Sequence, residues 1–219
     1  MRSLLDQLPD ELESQAFSHA SWVEDRATSY ERLAFLGDSV LNLAVSTSLF
    51  PRFGRHGAGS LTKIRAQAVS RRSCVEVARE LNVPERMRAA APVNQPHLVE
   101  APVSSESVLA EAIEAGIGAC FMQFGYERTA EAVVAAFEPQ VEEAVATMFD
   151  FKSELQERLA RRGEVVIYTV VDEQGPPHDR RFETVAEVGG QPIGQGSGRS
   201  KKESEQEAAK EALTQLDDA

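Results

Sequence analysis

The chain has 219 residues, enough for one large domain or two modest ones, and its 42% hydrophobic and 26% charged residues are ordinary for a globular protein. Its formal net charge of −12 argues against a general nucleic-acid binder, because a polyanion is drawn to Lys and Arg and an acidic chain must gather its cations locally. Acids and a proline interrupt residues 1–17, and no apolar run of about 20 residues stands out, so the sequence predicts no secretory signal, no membrane and a cytoplasmic location. The two cysteines, Cys74 and Cys120, lie in apolar stretches and read as small buried hydrophobes. With four scattered histidines, a zinc site is not indicated.

The predicted elements fall into two regimes. Residues 1–149 read as helices. Ser29–Phe50 carries Leu33, Leu36, Val40, Leu43, Ala44 and Leu49 at helical spacing, and Pro51 is expected to end it. A second helix is predicted over Ser60–Leu81, a third over Glu106–Phe124 up to Gly125, and a fourth over Glu127–Met148. Between the second and third, Ala89–Ser105 holds three prolines and reads as irregular.

The period changes near Asp150, the expected domain boundary, so that residues 150–219 form the second domain. A short helix over Lys152–Arg162 stops at Gly163. Val165–Val171 is rich in β-branched residues, and Arg181–Val188 alternates with Phe182, Thr184, Ala186 and Val188 on one face. Gly189-Gly190 signals a hairpin into a third strand near Gln191–Gly198. Ser200 then opens a helix to Leu216, with Glu203 completing a capping box and Ala209, Ala212, Leu213 and Leu216 forming its apolar stripe. The order is α-β-β-β-α.

The acids of the helical half carry the functional signal. Glu31 and Asp38 are seven residues apart, two helical turns, so they share a face roughly 10 Å apart along the axis. Glu111 and Glu114 stand at i and i+3 within LAEAIEAGIGACF, an otherwise apolar run where unpaired carboxylates are expensive. A divalent cation would offset that cost, and Mg²⁺ needs only a few carboxylates because it keeps several waters. Either pair alone also fits a solvated helix face or an ion pair between helices. Gly37 and Gly116 are expected to let the two helices approach closely.

ERLAFLGDSVL resembles the signature of the ribonuclease III family, commonly ERLEFLGDSVL, and FSHASW at residues 17–22 resembles its lead-in. ESVLAEAIEAGIGACF resembles the family's second acidic motif, and GPPHDRRF with GSGRSKKESEQEAA resembles its double-stranded-RNA-binding domain. The resemblance implies an all-α endonuclease domain followed by an α+β RNA-binding domain. It implies metal-assisted cleavage of double-stranded RNA, leaving 5′-phosphates and short 3′ overhangs. Catalytic roles fall on Glu31, Asp38, Glu111 and Glu114, with Asp38, Glu111 and Glu114 holding Mg²⁺, for which Mn²⁺ can substitute. The family works as a homodimer, which assigns Phe35 to the interface. The sequence departs from the pattern twice: the family usually has glutamate at Ala34 and aspartate at Glu111.

Duplex RNA is read through 2′-hydroxyls and phosphates rather than base edges. Ser153, Gln156 and Glu157 on the first helix of the second domain, His178 in its loop, and Arg199, Ser200, Lys201 and Lys202 at the start of its last helix are the expected contacts. Phosphates are favoured at that helix start both by the cations and by the free N–H groups. The rival expectation is a non-catalytic RNA-binding protein on a degenerate nuclease fold, and Ala34 is its main support.

Overall fold

The computed structural model describes residues 1–54, 56–94, 96–148, 151–175 and 180–218. The chain divides into two compact units, Met1–Ala144 and Val145–Ala219.

The described elements of the first unit are α1 (Arg2–Leu5), α2 (Asp10–Phe17), α3 (Glu31–Arg52), α4 (Ala58–Ala68), α5 (Arg71–Glu80), α6 (Val83–Ala90), α7 (Glu100–Ser104) and most of α8 (Glu106–Met148), whose last turn falls past the boundary, with 3₁₀ turns at Ala20–Trp22, Arg26–Thr28 and Pro96–Leu98. The unit is all-α, as expected. Helix α3 buries Leu33, Val40, Leu41, Ala44, Val45 and Leu49 and runs past the predicted stop, taking Pro51 within its last turn. The helix predicted over Ser60–Leu81 is two helices. Ser70 adopts extended backbone angles and its hydroxyl accepts from the Ser73 N–H at 3.3 Å, so it caps α5 instead of continuing α4. Helix α8 bends at Gly125, whose φ of 78° and ψ of 176° are not helical, and this is where the sequence placed a break.

By length and composition alone, α3 and the stretch opening at Glu106 are apolar enough to cross a membrane, with mean hydropathies of 1.4 and 1.2. This runs against the sequence expectation, because their charges are few and their alanines and glycines count as apolar. Of those apolar windows, 44% and 56% respectively are buried inside the protein, as in the core helices of a globular domain.

The second unit holds α9 (Phe151–Ala160), β1 (Val166–Gln174), β2 (Arg181–Val188), β3 (Gln191–Gly198) and α10 (Lys201–Asp218). The strands form an antiparallel sheet in the order β1-β2-β3. Phe182, Thr184 and Ala186 are buried on the face that α10 covers, and Ala208, Ala209, Ala212 and Leu213 are buried from the helix side. The approach is close because β3 offers only glycine there: a Cβ on Gly196 would lie 2.2 Å from the Ala208 nitrogen. Thr184 and Ser204 satisfy each other's buried hydroxyls at 2.7 Å.

Candidate active site

Two helix backbones touch where the acids lie. A Cβ on Gly37 of α3 would stand 1.7 Å from the Glu114 carbonyl oxygen, and one on Gly118 of α8 would stand 2.2 Å from the Leu33 carbonyl oxygen. Only hydrogen fits at either position. The sequence pattern had given the second glycine's part to Gly116. That residue faces side chains instead, with Leu5 at 3.2 Å and Phe17 at 3.4 Å from its would-be Cβ. The crossing sets Asp38, beside Gly37, against Glu114.

Glu114 is half-buried and its carboxyl is pushed up to about 7, first by burial and then by the neighbouring carboxylates of Asp38 and Glu111. Asp38 is exposed, and the Asn42 side-chain amide donates to its Oδ1 at 2.9 Å. Glu111 is also exposed, and the buried Tyr30 hydroxyl donates to its Oε2 at 2.7 Å. Tyr30 in turn has its hydroxyl proton held well above the usual phenol range by burial and by this carboxylate. Glu31 pairs with Arg26. Arg26 grips both of its carboxylate oxygens, Nε donating to Oε2 at 3.1 Å and Nη2 to Oε1, and this holds its carboxyl below the ordinary range. Ala34 is buried, and its N–H donates to the Tyr30 carbonyl at 2.9 Å.

Asp38 and Glu111 therefore both act electrostatically on Glu114. Among the described residues, no three His, Cys, Asp or Glu side chains converge tightly enough to cage a metal ion. The donor set still fits a hard cation: all oxygen, carrying more negative charge than burial tolerates, and two of the three open to water. A cation that keeps part of its hydration shell suits such a half-open set. Cys74 lies behind it on α5, buried, its thiol pushed up to about 12 by burial and by Glu114 and Asp38. Both cysteines are free and buried, as expected. The sequence singled out neither Tyr30 nor Arg26. Trp22 and His19 are structural neighbours: the Trp22 indole donates to the Leu98 carbonyl at 3.0 Å and the His19 ring packs 5.7 Å from Tyr30.

In the second unit, Arg199, Ser200, Lys201 and Lys202 are exposed at the start of α10. The Ser200 hydroxyl accepts from the Glu203 N–H at 3.1 Å, while Glu203 reaches back to the Arg199 N–H at 2.7 Å, one residue earlier than a standard capping box. Lys152, Arg158, Arg180 and Lys210 are each paired with a glutamate. Among the described residues Arg199, Lys201 and Lys202 have no such partner. Ser153, Gln156 and Glu157 are exposed on α9, and His178 lies outside the described residues.

Carboxylates gather in one unit, and cations stand exposed at a helix start in the other. The family model described as ribonuclease-III-like matches residues 9–140, and the double-stranded RNA binding motif matches residues 151–216. The chain is 39% identical over 208 residues to ribonuclease 3 of Bacillus licheniformis, covering 92% of this chain and 82% of that one. It is 37% identical over 214 residues to ribonuclease 3 of Lactiplantibacillus plantarum, covering 95% and 90%. A solved nuclease domain of ribonuclease III from Campylobacter jejuni superposes with a TM-score of 0.55 at 31% identity, covering 64% of this chain and 94% of that one. The chain belongs to the ribonuclease III family. It is an endoribonuclease of double-stranded RNA, from a family of metal-dependent nucleases, and the reading as a non-catalytic RNA-binding protein is not favoured.

Proposed function

We propose that the chain cuts double-stranded RNA with Mg²⁺ held by Asp38, Glu111 and Glu114, leaving 5′-phosphate products, and that it works in the cytoplasm as a homodimer. The observation that carries the metal assignment is Glu114, a half-buried carboxylate pushed up to about 7 by burial and by the carboxylates of Asp38 and Glu111. When bound, Mg²⁺ supplies Lewis acidity toward the attacking water and the leaving 3′ oxygen of an in-line displacement. The chain's own part is positional. Gly37 and Gly118 bring the two acidic helices into backbone contact, Asn42 orients Asp38, and Arg26 keeps Glu31 ionised at the edge of the site. With its carboxyl pushed up to about 7, Glu114 is partly protonated near neutral pH, and a cation held there would displace that proton.

The second unit supplies affinity, with Arg199, Lys201 and Lys202 meeting phosphates at the free N–H groups of α10 and Ser153, Gln156 and Glu157 meeting ribose hydroxyls. Dimerisation is supported by α3, whose Phe35 is 79% exposed and stands on the same side as Phe50 at 74% and Leu43 at 51%. The Campylobacter jejuni structure is described as having a region involved in dimer formation. Incubating long duplex RNA with the protein in EDTA, Mg²⁺ or Mn²⁺ tests the reading. Cleavage is expected with either ion and not in EDTA. A folded protein that binds duplex RNA and cuts it under none of these conditions would overturn the reading.

A further inference from the structure

Resting on the assignment of Glu111 as a metal-holding carboxylate, we propose that Tyr30 is its positioning residue, fixing the arm of Glu111 through the phenol hydroxyl. Tyr30 is 3% exposed, and its hydroxyl, the sole polar group of its side chain, donates to Glu111 Oε2 at 2.7 Å. A neutral donor on one oxygen leaves the carboxylate charged and its other oxygen free, which is the state a cation needs. The ring is itself fixed: the Tyr30 N–H donates to the Ser18 carbonyl at 3.0 Å, its carbonyl accepts from Ala34, and His19 packs beside it.

Arm length makes the pair specific. Glu111 is exposed and unbranched, so without a partner it would sample several rotamers. At 2.7 Å the contact has no slack, and an aspartate, shorter by one C–C bond of about 1.5 Å, would not reach the hydroxyl. Side chains on a helix lean toward its N-terminus, so position 34 leans over the turn of Tyr30, and alanine limits that intrusion to one methyl group. Tyr30, Ala34 and Glu111 are thus mutually consistent: a fixed donor, an unobstructed approach and an arm long enough to use it.

The test is Mn²⁺ binding by the full chain without RNA, read from the electron-paramagnetic-resonance signal of the free ion. Partners that orient metal ligands are worth about 10- to 100-fold in affinity, so Tyr30→Phe should raise the dissociation constant about tenfold. In a Glu111→Asp background the hydroxyl has nothing to reach, and adding Tyr30→Phe should then change the constant less than about twofold. Equal losses in both backgrounds would mean that Tyr30→Phe merely loosens the fold, and would overturn the inference. Glu111→Gln separates the two readings. If it abolishes Mn²⁺ binding while Tyr30→Phe leaves it unchanged, the role of Tyr30 falls and the metal site stands. If it binds Mn²⁺ like the parent, the metal assignment falls and this inference with it.

Discussion

The two units place their charged side chains differently. In the helical unit, burial and packing force three carboxylates together until one of them, Glu114, titrates near 7. In the sheet unit, four cations pair with glutamates, while among the described residues Arg199, Lys201 and Lys202, exposed at a helix start, pair with no acid, Lys201 lying over the Phe182 ring at 5.9 Å. The difference shows how a chain of net charge −12 can act on RNA. Residues 150–219 are themselves net acidic, with 15 Asp and Glu against 10 Lys and Arg, so attraction for a polyanion there must come from cations gathered locally. The acidic site depends on tight backbone packing. The basic edge has exposed side chains, yet its helix start is packed closely too: a Cβ on Gly198 would lie 2.6 Å from the Ser204 nitrogen.

Breaking the packing beneath the acids should produce the largest effect. Alanine is normally better than glycine in a helix by about 1 kcal/mol. Gly37→Ala should nevertheless destabilise the first unit by about 3 kcal/mol or more, because its Cβ meets backbone that has no side chain to move aside. Urea unfolding that shows Gly37→Ala as stable as the parent would mean that the helices do not touch there.

Glu114→Gln is next, and it should separate function from stability. Cleavage should fall by more than about 100-fold, beyond the usual loss for a group that only orients a ligand. Metal-free stability should rise. The unfolded chain releases this proton near the ordinary glutamate value of 4.5 and the folded chain near 7, so between those values the folded state binds more protons. The parent's penalty is thus absent below about 4.5, grows as pH rises, and is complete above 7. In EDTA the variant should match the parent at pH 4.5 and exceed it by on the order of 2 kcal/mol at pH 8, allowing for partial solvent exposure. A constant difference across that range would show that Glu114 titrates normally.

The basic edge should respond differently to removal of charge. Lys201→Ala with Lys202→Ala should leave stability within about 0.5 kcal/mol, since both are exposed. Affinity for duplex RNA should fall and its logarithmic salt slope should flatten by up to about 2, roughly one for each phosphate no longer neutralised. An unchanged slope from a weaker binder would place these lysines away from phosphate.

Legibility in the sequence followed the range of the interactions. Local periods were readable: β2 has the predicted bounds, and its buried Phe182, Thr184 and Ala186 are the predicted face. The break at Gly125 and the hairpin glycines at φ 59° and 80° were likewise written in single residues. Helices α1 and α7, of 4 and 5 residues, are too short to display a 3.6-residue period. Two-turn spacing is a local property and paired Glu31 with Asp38, whereas the carboxylates that act on Glu114 are Asp38 and Glu111. Which glycine of α8 meets α3 depends on the rotation of one helix against another, and so Gly116 stood in for Gly118. Tyr30 and Glu111 are 81 residues apart, and no local pattern links a phenol to a carboxylate at that range.

Ala34 gives the smallest and sharpest test of the acidic site. It is 6% exposed, one turn after Tyr30 and one turn before Asp38, on the face where the family usually carries a glutamate. Ala34→Glu adds a fourth carboxylate to three that already repel one another, so metal-free stability should drop. The same charge should draw the cation more strongly, and the Mg²⁺ concentration giving half-maximal cleavage should fall several-fold, with little change in rate at saturating Mg²⁺. Stability and activity would then move in opposite directions, whereas Lys201→Ala with Lys202→Ala lowers binding without touching stability. Lower stability with no gain at limiting Mg²⁺ would mean that the site is built around the alanine, with Tyr30 and the longer Glu111 filling the role of the absent carboxylate. Superimposable Mg²⁺ curves and melting temperatures would place Ala34 outside the electrostatic reach of the site altogether.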